Sequence, residues 1–114
     1  MSQLTPLDAT FLELEEADDS AHMHIGAVLV FDPPDDGPPS LADLRLRVDE
    51  RLPALPRYRQ RLSEPQTGGL RWPAWVAHEA FDVDDHVREA ALPAPAGHDE
   101  LCDWAADFWS HRLD

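Results

Sequence analysis

Two pairs of residues have types and spacing that could support chemistry. His22 and His24 lie two positions apart, and residues i and i+2 of a strand share a face, so both could bind one metal ion. No third His or Cys follows at ligand spacing, which favours a hydrogen-bonded histidine pair instead. His78 and Asp82 match the loose pattern of a general base and the carboxylate that orients it. A solvated acidic loop is the better interpretation, because a chain with six His and 23 acidic residues contains such a pair by chance.

Arg57, Arg59 and Arg61 alternate along a segment that we predict to be a half-exposed strand over residues 57–62. In a strand the three guanidinium groups would share one face. Such a face could bind phosphate, including the phosphates of a CoA-type nucleotide. The alternative is an exposed face whose arginines pair with nearby acidic residues. Both interpretations stay open.

Other chemical motifs are missing from the sequence. It has no Gly-rich phosphate loop, no G-x-S-x-G elbow and no Cys pair for zinc. Cys102 lies among acidic residues, which disfavour a thiolate nucleophile. The residues taken alone therefore indicate a fold class and no reaction.

The elements that must position these residues begin with a short amphipathic helix over residues 7–14, which Asp8 could cap. Residues 23–32 are apolar without alternation, which predicts a central strand covered on both faces. Ser40, with an acidic residue three positions later, predicts a helix N-terminus, and Pro53 predicts the end of that helix.

The second half of the chain adds the 57–62 strand, a turn at 67–69, a strand at 72–78 and a final helix. We expect that helix to bury Leu101, Trp104, Ala105 and Phe108. The order is helix, strand, helix, strand, strand, helix, and the last helix lacks a cap or a following strand. The predicted fold class is α/β or α+β.

Composition limits the partners. The formal net charge is −14, yet residues 45–71 hold seven Arg against three acidic residues. This balance argues against non-specific binding to nucleic acid or to an anionic membrane. A single Cys, no secretory signal and a longest apolar run of 25–31 predict a cytoplasmic protein without a membrane span, which would need roughly 20 apolar residues.

Five segments carry a resemblance in order along the chain. Residues 4–12 are similar to a PLSPLDAxFL opening, 23–31 to an MHVGGLxxF strand, 55–62 to xPxFRQRL, 75–97 to WVxxxxFDLxxHVRxxxLPxPG, and 110–114 to SxPLD with Arg112 in place of Pro. Together they resemble the wax ester synthase/diacylglycerol acyltransferase (WS/DGAT) family. The resemblance implies part of a chloramphenicol acetyltransferase-like, CoA-dependent acyltransferase half-domain.

The family transfers an acyl group from acyl-CoA to diacylglycerol or a long-chain alcohol and uses no further cofactor. Its catalytic motif is HHxxxDG, and this sequence has no two adjacent His. We therefore expect residues 1–114 to be the N-terminal part of the domain, ending before that motif and inactive alone. His24, Arg57, Arg59 and Arg61 are the candidate contacts to substrate or CoA.

The resemblance also allows peripheral association with membranes or lipid droplets. It allows self-association through the apolar surface that the rest of the domain would cover. A short non-catalytic protein of this family, which binds lipid or a partner, is the alternative function.

Overall fold

The computed structural model describes residues 2–64 and 72–113. These residues form two compact units. Unit 1 comprises the described residues within 1–9 and 33–89, and unit 2 those within 10–32 and 90–114. The turn predicted at 67–69 lies outside the described residues.

Unit 1 contains a three-stranded antiparallel sheet of β1 (Ser2–Gln3), β2 (Gln60–Leu62) and β3 (Ala74–Ala77) in the order β1-β3-β2. The predicted strand at 72–78 is confirmed and is the central one, directly after Pro73. The strand predicted at 57–62 is wrong in its first half, because only Gln60–Leu62 pairs with β3.

Helix α2 (Leu41–Arg51) begins as the sequence predicted. The Ser40 hydroxyl accepts the Asp43 N–H, and the Asp43 carboxylate accepts the Ser40 N–H, so two free amides of the first turn are satisfied. Pro53 ends the α-helix because it has no N–H to donate, and the chain continues as two 3-10 turns, Leu52–Ala54 and Pro56–Arg59.

Two further helices lie wholly or partly in unit 1. A short helix α3 (Val83–His86), which the sequence did not predict, is capped by the Asp82 carboxylate. Helix α1 (Pro6–Ala17) is longer than predicted. Asp8 takes part in its N-terminal cap, through reciprocal hydrogen bonds with Thr5.

The buried apolar side chains among the described residues are Leu4, Ala9 and Leu52, all in unit 1. Large apolar side chains elsewhere are mostly exposed. The apolar side chains of α2 and the turn after it recur at helical spacing, and they are covered only near the two ends: Leu41 is half-buried and Leu52 is buried, while Leu44 and Val48 remain 44% and 38% exposed.

Unit 2 contains the rest of α1, the segment from 18 to 32, and helix α4 (His98–Trp109). The central strand predicted at 23–32 is wrong. No residue of this segment pairs with a strand among the described residues, and Ile25 and Phe31 are 97% and 80% exposed. An apolar run becomes a strand only when neighbouring strands bind its backbone amides and carbonyls, and periodicity alone does not reveal whether they are present.

The inner face of helix α4 is half-buried and only partly the predicted one. Leu101 and Ala105 are half-buried as expected, together with Trp109, whereas Trp104 and Phe108 are exposed and stack on each other with centroids 5.2 Å apart. Trp109 lies against the backbone of Gly26. The inner positions are therefore i, i+4 and i+8, starting at Leu101.

The described residues thus combine helices with a small antiparallel sheet, as the α+β prediction has it. Within residues 2–64 and 72–113, each helix is too short or too polar to cross a bilayer.

Candidate functional site

The sheet of unit 1 sorts its side chains onto two faces. Trp75 of β3 lies opposite Ser2 on one side and Leu62 on the other. Residues that lie opposite each other share a face and neighbours along a strand alternate, so Gln60 joins this face while Arg61 points to the other. We call the first of these the Trp75 face.

Arg57 is held on the Trp75 face by two contacts. Its guanidinium carbon lies 4.6 Å from the centre of the Trp75 ring, within the range of a cation–π contact. Its Nη1 lies 3.5 Å from the Ser2 Oγ, a long hydrogen bond. The Pro56–Arg59 turn and the pairing of β1 with β3 together bring Arg57, Trp75 and Ser2 to one place.

The predicted ridge of three arginines on one strand face is wrong. Residues 56–59 form a 3-10 turn with about three residues per turn, so Arg57 and Arg59 point in different directions. The Arg59 guanidinium lies over Phe81, 5.1 Å from the ring centre. Arg61 donates to the carbonyl of its neighbour Leu62 at 3.3 Å. The structure therefore separates the three candidates instead of assembling them.

An open surface cavity of about 350 Å³ adjoins Arg57, and we call it the Arg57 cavity; of its lining residues, Gln60 is half-buried and the others are exposed. The described residues in its walls are one cation, three neutral polar side chains and three apolar ones, with no carboxylate among them. These residues are Ser2, Ala54, Leu55, Pro56, Arg57, Tyr58 and Gln60. Neither Arg59 nor Arg61 lines it.

His24, the remaining candidate, lies in unit 2 and is half-buried. Its ring centroid lies 5.6 Å from that of His22, and the two rings are tilted. No group of three His, Cys, Asp or Glu suited to a metal ion occurs among residues 2–64 and 72–113.

The pair of His78 and Asp82 does not form the arrangement of a base and its orienting carboxylate. Asp82 accepts the N–H of Asp84 at 2.9 Å and so caps α3. His78 contacts the edge of Phe81, with centroids 6.4 Å apart. Both residues therefore serve local packing and capping.

Comparison with known proteins identifies the family. Residues 4–114 match the model of the wax ester synthase/diacylglycerol acyltransferase catalytic domain. The chain belongs to the WS/DGAT family.

Similar proteins come from mycobacteria. The chain is 35% identical over its whole length to the probable diacylglycerol O-acyltransferase tgs3 of Mycobacterium tuberculosis, of which it covers 41%. It is 37% identical to the probable diacylglycerol O-acyltransferase tgs1 of the same species and to a putative diacylglycerol O-acyltransferase of Mycobacterium bovis, covering 24% of each. No solved structure matches the chain. This WS/DGAT chain thus spans less than half the length of its curated relatives.

The cavity includes residues that sequence reasoning missed. Ser2 reaches the site because β1 pairs with β3 some seventy residues away, and no local pattern signals that pairing. Trp75 does not line the cavity but contacts Arg57, and the sequence analysis gave it no role, although an aromatic residue near an arginine-rich segment is a candidate for a cation–π contact. Pro56, directly before the alternating residues, favours the start of a turn and was the available signal against placing Arg57 in a strand.

Proposed function

We propose that this chain is the N-terminal part of an acyl-CoA-dependent O-acyltransferase that acts on diacylglycerol or a long-chain alcohol. The observation that carries the proposal is the match of residues 4–114 to the WS/DGAT catalytic domain. The relatives named as diacylglycerol O-acyltransferases support it, at 35–37% identity over the whole of this chain.

The part represented here does not transfer acyl groups by itself. Attack of an alcohol on a thioester needs a base to accept the hydroxyl proton, and a positioned base contributes about 10²- to 10⁴-fold. The HHxxxDG motif that supplies this base in the family is absent from the sequence, which has no adjacent His pair. His78 precedes an acidic residue at a suggestive spacing, but that residue, Asp82, uses its carboxylate to cap α3, and the His78 ring contacts Phe81.

The low burial in the structure supports the view that these residues form part of a larger chloramphenicol acetyltransferase-like half-domain. Among residues 2–64 and 72–113 three side chains are buried, and those of Ile25, Leu29, Val30 and Phe31 are between 73% and 97% exposed. Contiguous apolar surface of this kind normally lies against other protein or a ligand. The unmatched 59–76% of the relatives contains enough chain to cover it.

Acyl transfer from labelled acyl-CoA to diacylglycerol and to a long-chain alcohol tests this proposal. We expect no product from the 114-residue chain and product from the M. tuberculosis tgs3 relative, assayed in parallel. A chimera in which this chain replaces the matched 41% of that relative should regain transfer, whereas the unmatched part alone should not.

Two results would count against the proposal. Product from the 114-residue chain would show that it carries its own catalytic base. A chimera that is monodisperse and unfolds cooperatively but transfers nothing would contradict the role of this chain in catalysis. That second result would favour a non-catalytic protein that binds lipid or a partner through its exposed apolar residues.

A further inference from the structure

We infer that the Arg57 cavity binds a phosphate group. In this arrangement Arg57 supplies the positive charge, Ser2, Tyr58 and Gln60 supply neutral hydrogen-bond donors, and the group attached to the phosphate lies along Leu55 and neighbouring apolar residues. The inference rests on the proposed function for the source of the ligand, which is then the CoA moiety of acyl-CoA.

Most N–H groups of Arg57 are without a hydrogen-bond acceptor among the described residues. A guanidinium group carries five N–H donors. Among the described residues, Arg57 makes one long hydrogen bond, to Ser2, and no ion pair. By contrast, Arg45 and Arg47 each lie within 3.3 Å of a carboxylate oxygen. Arg59 and Arg61 likewise have no carboxylate partner among the described residues, so Arg57 is distinguished by its place in the cavity wall and not by the missing ion pair alone.

The contact with Trp75 orients this free cation. At 4.6 Å the guanidinium lies over the ring, which occupies one face of the group and leaves its N–H edges available. Those edges form the planar fork that matches two oxygens of a phosphate. A side chain already held by an aromatic ring loses less conformational entropy on binding than a free one.

The walls of the cavity select an anion with an organic substituent. The described wall residues include hydroxyl and amide groups that can donate to phosphate oxygens, and none of them is a carboxylate that would repel these oxygens. The apolar wall formed by Ala54, Leu55 and Pro56 provides contact for a ribose, a base or an aliphatic group. The open volume of about 350 Å³ has room for a phosphate with its neighbouring group, so the rest of a CoA molecule would extend into solvent or along other parts of the protein.

The chain supplies matched controls for charge. Arg59 and Arg61 belong to the same segment and carry the same charge, but Arg59 lies over Phe81 and Arg61 projects from the opposite face of the sheet. Substituting either of them removes one positive charge near the cavity without touching its wall. A specific site and a general basic surface therefore predict different results.

The experiment titrates the 114-residue chain separately with CoA, 3′-dephospho-CoA and inorganic phosphate. Isothermal calorimetry and tryptophan fluorescence measure binding. We expect Arg57→Ala to weaken CoA binding at least about tenfold, as loss of charge-assisted hydrogen bonds should. Arg59→Ala and Arg61→Ala should change it less than about threefold. Arg57→Lys should recover only part of the affinity, because a lysine lacks the fork. Far-ultraviolet circular dichroism and urea unfolding establish that each variant is folded like the parent chain.

The ligand series identifies the phosphate and separates this inference from the proposed function. Weaker binding of 3′-dephospho-CoA assigns the 3′-phosphate, and equal binding of both assigns the pyrophosphate. Binding of inorganic phosphate through Arg57 without binding of CoA supports the site and contradicts acyl-CoA as its ligand. Equal losses of affinity in the Arg57, Arg59 and Arg61 variants would overturn the inference. Failure of the chain to bind any of the three ligands would also overturn it. None of these readouts depends on acyl transfer, so an inactive chain leaves the test intact.

Discussion

Trp109 covers Gly26 so closely that a Cβ atom on Gly26 would lie 2.9 Å from the indole Cε2 and Nε1. Both residues belong to unit 2, where this contact joins the segment after α1 to the last turn of α4. Glycine is needed here for close approach of the backbone to the ring.

We predict that Gly26→Ala lowers the free energy of unfolding by about 1–3 kcal/mol, the usual cost of an overpacked contact. The new methyl group would collide with the rigid indole, so the ring or the backbone must move. Unfolding by urea measures the change.

A matched control and a double substitution separate this clash from a general effect of alanine. At Gly97, also in unit 2, an added Cβ would meet only the Glu100 carboxylate, at 3.3 Å, and the φ of −96° suits alanine. Gly97→Ala should therefore change stability by less than about 1 kcal/mol. In a Trp109→Ala background, Gly26→Ala should lose most of its effect. An undiminished effect there would assign the cost to something other than Trp109.

The capping box of α2 gives a second prediction. Ser40→Ala removes the hydroxyl that accepts the Asp43 N–H at 3.1 Å, and it should lower the free energy of unfolding by about 1 kcal/mol. Ser40→Thr keeps a hydroxyl at the same position and should lose much less. Chemical denaturation of the three proteins tests this, and equal stability of the alanine and threonine variants would contradict the role of the cap.

Local patterns predicted the parts of this fold that depend on local interactions. The start of α2 follows from Ser40 and Asp43, which bond to each other's backbone within one turn. The change after α2 follows from Pro53, which lacks an N–H. The final helix was also predicted, although its inner face includes Trp109 rather than Trp104.

Features that depend on distant partners were not predictable in this way. Residues 23–32 have the composition of a buried strand, but no strand among the described residues pairs with them. The alternation of Arg57, Arg59 and Arg61 mimics a strand, yet a 3-10 turn begins at Pro56. The Arg57 cavity depends on Ser2, which only the pairing of β1 with β3 brings there. The family resemblance was confirmed. It rests on the order of many segments along the sequence and therefore does not require a correct prediction of each element.

Two arginines of α2 give a third prediction, because they differ in how much water surrounds them. The Arg45 Nε donates to the Val87 carbonyl at 3.0 Å and lies 3.2 Å from the Asp84 carboxylate, and its side chain is 27% exposed. The Arg47 side chain is 77% exposed and pairs with Glu50 on the same helix at 3.3 Å.

We expect Arg45→Ala to lower the free energy of unfolding by about 1–2 kcal/mol, since it removes a charge-assisted hydrogen bond that ties α2 to α3. Arg47→Ala should change it by less than about 0.5 kcal/mol, as exposed ion pairs usually do. Urea unfolding at low and at moderate salt provides the comparison. Equal costs for the two variants would mean that the contacts of Arg45 with α3 do not stabilise the folded chain.

The dependence of the free energy of unfolding on acidic pH gives the last prediction. The Ser40 hydroxyl and the Ser40 backbone N–H both donate to the Asp43 carboxylate and hold its pKa below the ordinary value of 3.8. The pKa of Asp18 is lowered in the same way by the Ser20 hydroxyl and backbone N–H. A carboxyl group whose pKa is depressed by folding stabilises the folded state above its unfolded pKa. That contribution is lost as the pH falls below 3.8 and through the lowered pKa of the folded state.

Stability measured by urea between pH 5.5 and 2.5 should therefore decrease towards low pH, and Asp43→Asn should make the decrease less steep. The asparagine cannot titrate, so the variant starts less stable near pH 5.5 and loses less below pH 3.8. Asp49→Asn is the control, because Asp49 lies at the opposite end of α2, away from the free amides of its first turn. If the Asp43 and Asp49 variants have the same pH dependence, the cap of α2 does not contribute to acid sensitivity, and the carboxylates of unit 2, beginning with Asp18, become the next to substitute.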